Sequence, residues 1–162
     1  MNIPIEWLND FVDVSDIEIK RFTDAMTASG TKVEGVHAVG AELDKIVVGK
    51  IVSAKPHPGS DKLRVFQVDV GAGAELTIVA GALNVMPGDY VPVALDGARI
   101  GGGREITTGE IRGVQSQGMM CSVEELGFTR HDYPEAPEHG IYVFEQEHPL
   151  GADAVADRKS VV

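Results

Sequence analysis

The chain has 162 residues, of which 43% are hydrophobic and 24% charged, and its formal net charge is −11. This composition is typical of a folded globular protein and excludes a largely disordered chain. The single cysteine, Cys121, excludes an internal disulfide and any zinc site built from several cysteines. No apolar run is long enough to span a bilayer, and the first ten residues, MNIPIEWLND, lack signal-peptide features, so we expect a cytoplasmic protein.

The charges are distributed unevenly along the chain. Residues 1–44 and residues 113–162 each carry a formal charge of −6, whereas residues 45–112 carry +1. The overall charge argues against a nucleic-acid partner, because phosphates would be repelled. The cations of the middle segment either form a local basic face or lie on a solvated surface of mixed charge. These cations include Lys50, Lys55, Lys62, Arg64, Arg99, Arg104 and Arg112.

The first forty residues predict a small α/β segment. The stretch PIEWLNDFV spaces its apolar residues as a short helix does. Ser15 and Glu18 form a capping-box pattern, which predicts an amphipathic helix over residues 16–28 that is ended by Gly30. Residues 31–40 then predict a strand or an extended connection. We therefore assign residues 1–40 to an N-terminal helical and extended segment.

Beyond residue 40 the sequence changes to short β-rich runs separated by glycine and proline. The predicted strands are IVVGKIVSAK, KLRVFQVDVG, LTIVAGALNV, DYVPVAL, REITTGEIRG and IYVFEQ. SVEELG, residues 122–127, predicts one short helix with its own capping box. Short strands with one helix between the late strands are typical of the OB fold. The predicted fold class is mainly β, with an OB-fold barrel and a short helix in residues 41–150, preceded by the small α/β segment.

Five stretches resemble, in this order, the OB-type tRNA-binding module attached to several aminoacyl-tRNA synthetases. They are HPGSDKLRVFQVDVG, IVAGALNV, GDYVPVALDGA, EIRGVQSQGMMCSVEELG and HPLG. The preceding stretches IEWLNDFVD and TASGTKVEGV are similar to the amino terminus of bacterial phenylalanyl-tRNA synthetase β subunits. The chain departs from the family at Ala80 and Leu83, where the family often has cysteine and proline. Both are packing or turn positions, so the resemblance in fold is unaffected.

The resemblance implies a non-catalytic, tRNA-binding N-terminal region that supports aminoacylation of tRNA(Phe) in protein synthesis. It also implies an α-subunit partner in an α2β2 heterotetramer, with ATP and magnesium acting in that parent complex and no cofactor in this segment. Residues 1–40 would then belong to a small domain completed after the barrel, and residues 151–162 would start the return to it. Two alternatives stay open: a scaffold module with little RNA affinity, and a stand-alone, chaperone-like tRNA-binding protein.

The OB plan and the resemblance together predict an RNA-binding surface on the middle strands. Lysines at the end of strand one and the start of strand two are expected to contact phosphate, and Arg64 could also stack on a base. His57 lies between two prolines and is expected either to contact RNA or simply to be exposed. Asn84 either reads a base edge or bridges a turn. The full predicted set is Lys55, His57, Lys62, Arg64, Asn84, Arg112, Ser116 and Gln117.

Catalytic patterns are absent from the sequence. The five histidines are scattered without metal-ligand spacing, and the glycines at 101–103 lack the GK[ST] of a phosphate loop. We predict no catalytic residue and no metal site, so that any ligase activity belongs to the parent complex and not to this segment alone. Met119, Met120 and Cys121 are expected to be apolar residues that close the barrel.

Overall fold

The computed structural model describes residues 3, 5, 8, 10–14, 16–36, 42–129, 133–134 and 136–155. The chain divides between residues 41 and 42 into two compact units. The predicted division at residues 40 and 150 stays a prediction. Within the described residues, no helix is long and apolar enough to cross a membrane.

The first unit contains the predicted amphipathic helix, α1, at Ile19–Ala28. The helix begins later than predicted, and Glu18 at its N-cap makes no side-chain capping bond. Ser15, the predicted cap, lies outside the described residues. The predicted end is confirmed, because Gly30 has φ +101°, a left-handed conformation that glycine adopts without strain.

The shorter helix predicted before α1 lies mostly outside the described residues, Trp7 included. The amides of Phe11 and Val12 both donate to the Leu8 carbonyl, at 3.0 and 2.8 Å, as at the end of a helical turn. Residues 31–36 form neither helix nor strand. This described part of the segment therefore fits the predicted extended connection and not the predicted strand.

The described part of the second unit is built from eight strands. Four long strands come first, and a 3₁₀ turn at Gly101–Gly103 and four short strands follow. They are β1 (Asp44–His57), β2 (Ser60–Asp69), β3 (Glu75–Ala80), β4 (Tyr90–Arg99), β5 (Glu105–Ile106), β6 (Gly109–Ile111), β7 (Val114–Ser116) and β8 (Gly118–Met120).

All strand pairs are antiparallel, and the sheet curls into a barrel. The main sheet has the order β3-β2-β1-β4-β5, with β8 also paired to β4, while β6 and β7 form a separate hairpin. The far edge of β3 is met by Ser116, at the end of β7, and by Gln117, which joins β7 to β8. There, the Val79 amide donates to Ser116 Oγ at 3.0 Å and the Thr77 amide donates to Gln117 Oε1 at 3.0 Å. We call this closure, formed by Ser116 and Gln117 against β3, the barrel seam.

The interior explains why these sequences form strands. Buried apolar side chains alternate with more exposed residues in parts of β1 and β2, as in a sheet with one buried face, while Val91–Ala94 of β4 are all buried. Phe66, Ile51 and Ile78 are fully buried at the centre, with Val68, Val91, Val93 and Met120 around them. The predicted fold class is confirmed: the described chain is mainly β, with an antiparallel, OB-like barrel, and its short helix α1 lies in the first unit.

The predicted strands differ from the observed ones in their bounds: β2 lies at Ser60–Asp69 instead of residues 62–71, and β4 at Tyr90–Arg99 instead of residues 89–95. The first predicted strand runs through Pro56 to His57, because Pro56 lies beside a register shift, where a missing amide is tolerated. The third predicted strand stops at Ala80 instead of Val85. REITTGEIRG forms two short strands, β5 and β6, instead of one.

Two predicted elements after β8 are not regular. IYVFEQ, predicted as a strand, is not one, although the amides of Tyr142 and Phe144 donate to carbonyls of Cys121 and Tyr90. SVEELG forms consecutive turns instead of a helix. Its capping box is nevertheless present, since the Ser122 amide donates to Glu125 Oε2 at 2.7 Å.

Candidate nucleic-acid interface

Two hairpins meet at their tips on one side of the barrel. The β1–β2 hairpin turns at Pro58 and Gly59, because His57 already pairs with Ser60. A Cβ added to Gly59 would lie 3.4 Å from the Arg112 carbonyl oxygen, at the tip of the β6–β7 hairpin. The two loops correspond to those that flank the nucleic-acid surface in OB folds.

The local sequence explains the second tip. Ile111 pairs with Val114, so Arg112 and Gly113 form a two-residue turn. Both have positive φ, +49° and +86°, as a type I′ turn requires. Glycine adopts this conformation freely, whereas arginine does so only at some cost. Arg112 is exposed at the end of this turn.

The tips of these two hairpins carry four of the predicted cations, which we call the cationic rim: Lys55, Lys62, Arg64 and Arg112. Both lysines and Arg112 are exposed, and within residues 42–129 none of the four forms an ion pair. Arg64 is half-buried, with its guanidinium carbon 5.5 Å from the centroid of the Phe66 ring. The rim therefore presents positive charge that no carboxylate of this region neutralises by direct contact.

The other cations of the middle segment lie elsewhere. Lys50 is placed over the Tyr90 ring, with Nζ 5.3 Å from its centroid. Arg104 donates to the sulfur of Met119 at 3.6 Å. Arg99 ends β4. The seven cations considered from the sequence are thus spread over several elements, and the cationic rim contains four of them.

His57 is not an exposed loop residue. Its ring is only 5% exposed, and both ring nitrogens have backbone partners. The Gly59 amide donates to Nδ1 at 2.9 Å, and Nε2 lies 3.0 Å from the Ile111 carbonyl oxygen. Of the two alternatives for His57, simple exposure is wrong, because the strand continues through Pro56 and turns the ring inwards. Direct contact of His57 with RNA stays a prediction. A ring bonded in this way has no free nitrogen for a phosphate.

Three further predicted residues also bond the backbone. The side chain of Asn84 forms two hydrogen bonds with the backbone of Ile141: Nδ2 donates to the carbonyl at 2.8 Å, and Oδ1 accepts from the amide at 3.1 Å. Ser116 is 4% exposed, and its hydroxyl also donates to the Gly118 carbonyl at 3.1 Å. Gln117 uses its carbonyl oxygen in the barrel seam. Their side chains hold the barrel together, and their binding to RNA stays a prediction.

Comparison with known proteins identifies the family. Residues 46–153 match the family model described as "Putative tRNA binding domain". The chain belongs to this tRNA-binding domain family. Its curated relatives include phenylalanine–tRNA ligase β subunits from Clostridium acetobutylicum, 42% identical over 94% of this chain, and Shouchella clausii, 39% identical over 96%. A third, from Staphylococcus epidermidis, is 40% identical over 96%.

These matches confirm the resemblance drawn from the sequence motifs. The chain spans about a fifth of the length of these relatives, 19%, 20% and 19% respectively. The family match covers the barrel from β1 onwards, including both hairpins of the cationic rim. Membership of the family therefore applies to the part of the chain where the candidate interface lies.

The aromatic side chains of this tRNA-binding domain mostly pack against one another. Tyr133, Tyr142 and Phe144 follow each other with ring centroids 5.7 and 5.4 Å apart, and the row continues to Phe128 at one end and His148 at the other. Phe66 is fully buried beneath Arg64. Among the members of the cationic rim, the guanidinium groups of Arg64 and Arg112 are therefore the planar groups that a base could stack on.

The link between the two hairpins was not visible in the sequence. His57 and Ile111 are 54 residues apart, and the acceptor is a backbone carbonyl, which has no side-chain signature. The positive φ at Arg112 had a partial signal, because the Arg-Gly dipeptide lies between two β-type residues. The remaining members of the rim follow from their positions on the β1–β2 hairpin, as predicted.

Proposed function

We propose that this chain binds tRNA through the cationic rim, using Lys55, Lys62 and Arg112 to contact phosphates and Arg64 to contact a phosphate or a base. The observation that carries the proposal is the meeting of two hairpin tips with four cations that form no ion pair within residues 42–129, in a domain of the tRNA-binding family. Loops in these positions and cations along a backbone path are the means by which OB folds hold nucleic acids.

The overall charge shapes how such binding behaves. With a net charge of −11, the chain repels RNA at long range, and the attraction is confined to the rim. Few phosphate contacts release few counterions, so the affinity is weak. The affinity falls as salt is added, because release into a more concentrated salt solution is less favourable. The binding expected of this chain alone is therefore weak, dependent on salt, and one contribution to a larger interface.

We further propose that the chain acts as the tRNA-binding region of a phenylalanine–tRNA ligase β subunit in the cytoplasm. The support is about 40% identity to such subunits along nearly the whole chain. In that assembly an α subunit would be the partner, and the chemistry with ATP and magnesium would occur outside this segment. The region would then raise the affinity for tRNA without touching the reacting atoms.

The test is fluorescence anisotropy of labelled tRNA titrated with the 162-residue chain at several salt concentrations. Lys62→Gln and Lys55→Gln remove one rim charge each, and Lys45→Gln, an exposed lysine at the other end of β1, is the matched control. Each rim substitution should reduce the slope of log affinity against log salt by roughly one, whereas Lys45→Gln should leave it unchanged. If all three substitutions changed the slope equally, or if the chain did not bind tRNA at low salt, the proposed role of the rim would be rejected in favour of a scaffold role.

A further inference from the structure

The imidazole of His57 joins the two hairpins that carry the cationic rim. One ring nitrogen bonds within its own hairpin, at the Gly59 amide, and the other reaches across to the Ile111 carbonyl, immediately before the Arg112–Gly113 turn. Within residues 42–129, we find no second hydrogen bond between these two hairpins. The ring is thus the polar connection between the lysines on one side and Arg112 on the other.

The two partners determine the protonation of the ring. An amide can only donate, so Nδ1 must carry a lone pair, and a carbonyl oxygen can only accept, so Nε2 must carry the proton. The arrangement needs the neutral ring with its proton on Nε2. A charged imidazolium would place two donors against each other at Nδ1. The other tautomer would do the same and would also place two acceptors against each other at Nε2.

The second hairpin depends on such a connection. Its strands, Gly109–Ile111 and Val114–Ser116, have three residues each and lie outside the main sheet. A short, isolated hairpin is marginally stable in water. Ser116 anchors its β7 end at the barrel seam, and the Thr108 amide donates to Asp96 Oδ1 before β6 begins, but both anchors lie far from the turn.

We propose that His57 is a positioning residue for tRNA binding: it holds the β6–β7 tip against the β1–β2 turn, so that Arg112 joins Lys55, Lys62 and Arg64 in one phosphate-binding surface. This inference rests on the proposed function of the rim. In this role the ring acts from its buried position and needs no contact of its own with RNA. Its effect is to keep one of the four cations at a fixed position relative to the other three.

Coupling between His57 and Arg112 tests this role. At about 50 mM salt, loss of one phosphate contact lowers affinity on the order of tenfold. Arg112→Gln should therefore weaken tRNA binding about tenfold in the wild-type chain but less than about twofold in a His57→Phe background, where Arg112 is no longer held. Lys62→Gln, on the same hairpin as His57, should have the same effect in both backgrounds.

The outcomes separate the two proposals. An effect of Arg112→Gln that is equally large in both backgrounds would overturn the role of His57 while leaving the rim intact. If neither Arg112→Gln nor Lys62→Gln weakens binding in the wild-type chain, the proposed function fails instead. Circular dichroism melting of each variant establishes that the comparison is made between folded chains.

Two measurements without RNA examine the connection by itself. In the wild-type chain, nitrogen-15 NMR of the imidazole should show a lone pair on Nδ1 and a slowly exchanging proton on Nε2. A charged ring or the other tautomer under the binding conditions would overturn the proposal even if His57→Phe failed to fold. In His57→Phe, amides paired between β6 and β7 should exchange at least tenfold faster, with amides paired between β1 and β4 unchanged.

Discussion

The cationic rim and the barrel seam are both rich in polar side chains, yet they use them in opposite ways. At the rim, Lys55, Lys62 and Arg112 are exposed and form no ion pair with the described residues of the barrel. At the seam, Ser116 and Gln117 bond the backbone of β3. A polar side chain therefore indicates a binding role only when its atoms are not already needed by the fold. Substitutions should affect stability at the seam and RNA affinity at the rim.

The largest effect on stability is expected from Gly118→Ala at the start of β8. A Cβ at this position would lie 2.6 Å from the Ala94 carbonyl oxygen, so β4 and β8 would have to separate. We expect a loss of about 3 kcal/mol in the free energy of unfolding, at the upper end for overpacking. Urea denaturation measures it. Gly109→Ala, with its nearest neighbour 4.0 Å away, is the control, and an equal loss in both would contradict a close approach at Gly118.

Ser116→Ala removes the hydroxyl of the seam. It leaves the buried Val79 amide without its acceptor, which costs about 2 kcal/mol. The tRNA affinity, measured well below the melting temperature, should stay within twofold, roughly the scatter expected for a substitution away from the contacts. Ser53→Ala, a half-buried serine on β1, deletes the same atom and should cost much less. If Ser116→Ala lowered affinity in a fully folded chain, the seam would belong to the interface.

Burial of Cys121, directly after β8, gives a pH dependence. Burial raises the pKa of its thiol from 9.0 to about 12, because the thiolate would be desolvated. The folded state thus favours the protonated thiol, and the resulting stability is complete below pH 9 and is lost as the pH rises towards 12. At pH 10 the loss is roughly 1 kcal/mol. Denaturation at pH 8 and pH 10 measures it, and Cys121→Ala should flatten the dependence. An unchanged slope in this variant would assign the loss to other groups.

The sequence predicted the existence of the long strands and the position of the lysines of the rim, but not the exact end of β1. Alternating apolar residues predict β1, β2 and β4 because a curled sheet buries one face. The continuation of β1 through Pro56 was not predictable, since it depends on a register shift set by the pairing with β2. The lysines of the rim follow from their place at the strand ends.

The residues that hold the fold together could not be told from binding residues by sequence. Ser116 and Gln117 bond partners 37 and 40 residues away, and the partners are backbone amides. A polar residue near an OB groove has the same sequence signature whether it meets RNA or an orphan amide of β3. Only the three-dimensional course of the chain distinguishes these two roles.

The smallest effects should separate the two cations of β2. Lys62 is exposed, so Lys62→Gln should change the free energy of unfolding by less than about 0.5 kcal/mol. Arg64 lies over Phe66, and Arg64→Gln should cost about 0.5 to 1 kcal/mol because this cation–π contact is lost. Both variants should weaken tRNA binding. Urea denaturation would measure the change in the free energy of unfolding, and fluorescence anisotropy would measure the change in tRNA affinity.

Arg64→Lys then distinguishes the two roles of Arg64. It keeps the charge but not the planar group. Compared with Arg64→Gln, it should therefore restore the salt dependence of tRNA binding but not the free energy of unfolding. If the lysine restored neither property, base stacking by the guanidinium would account for the binding. If it restored both, the contact with Phe66 would be incidental, and Arg64 would act at the rim in the same way as Lys62, through its charge alone.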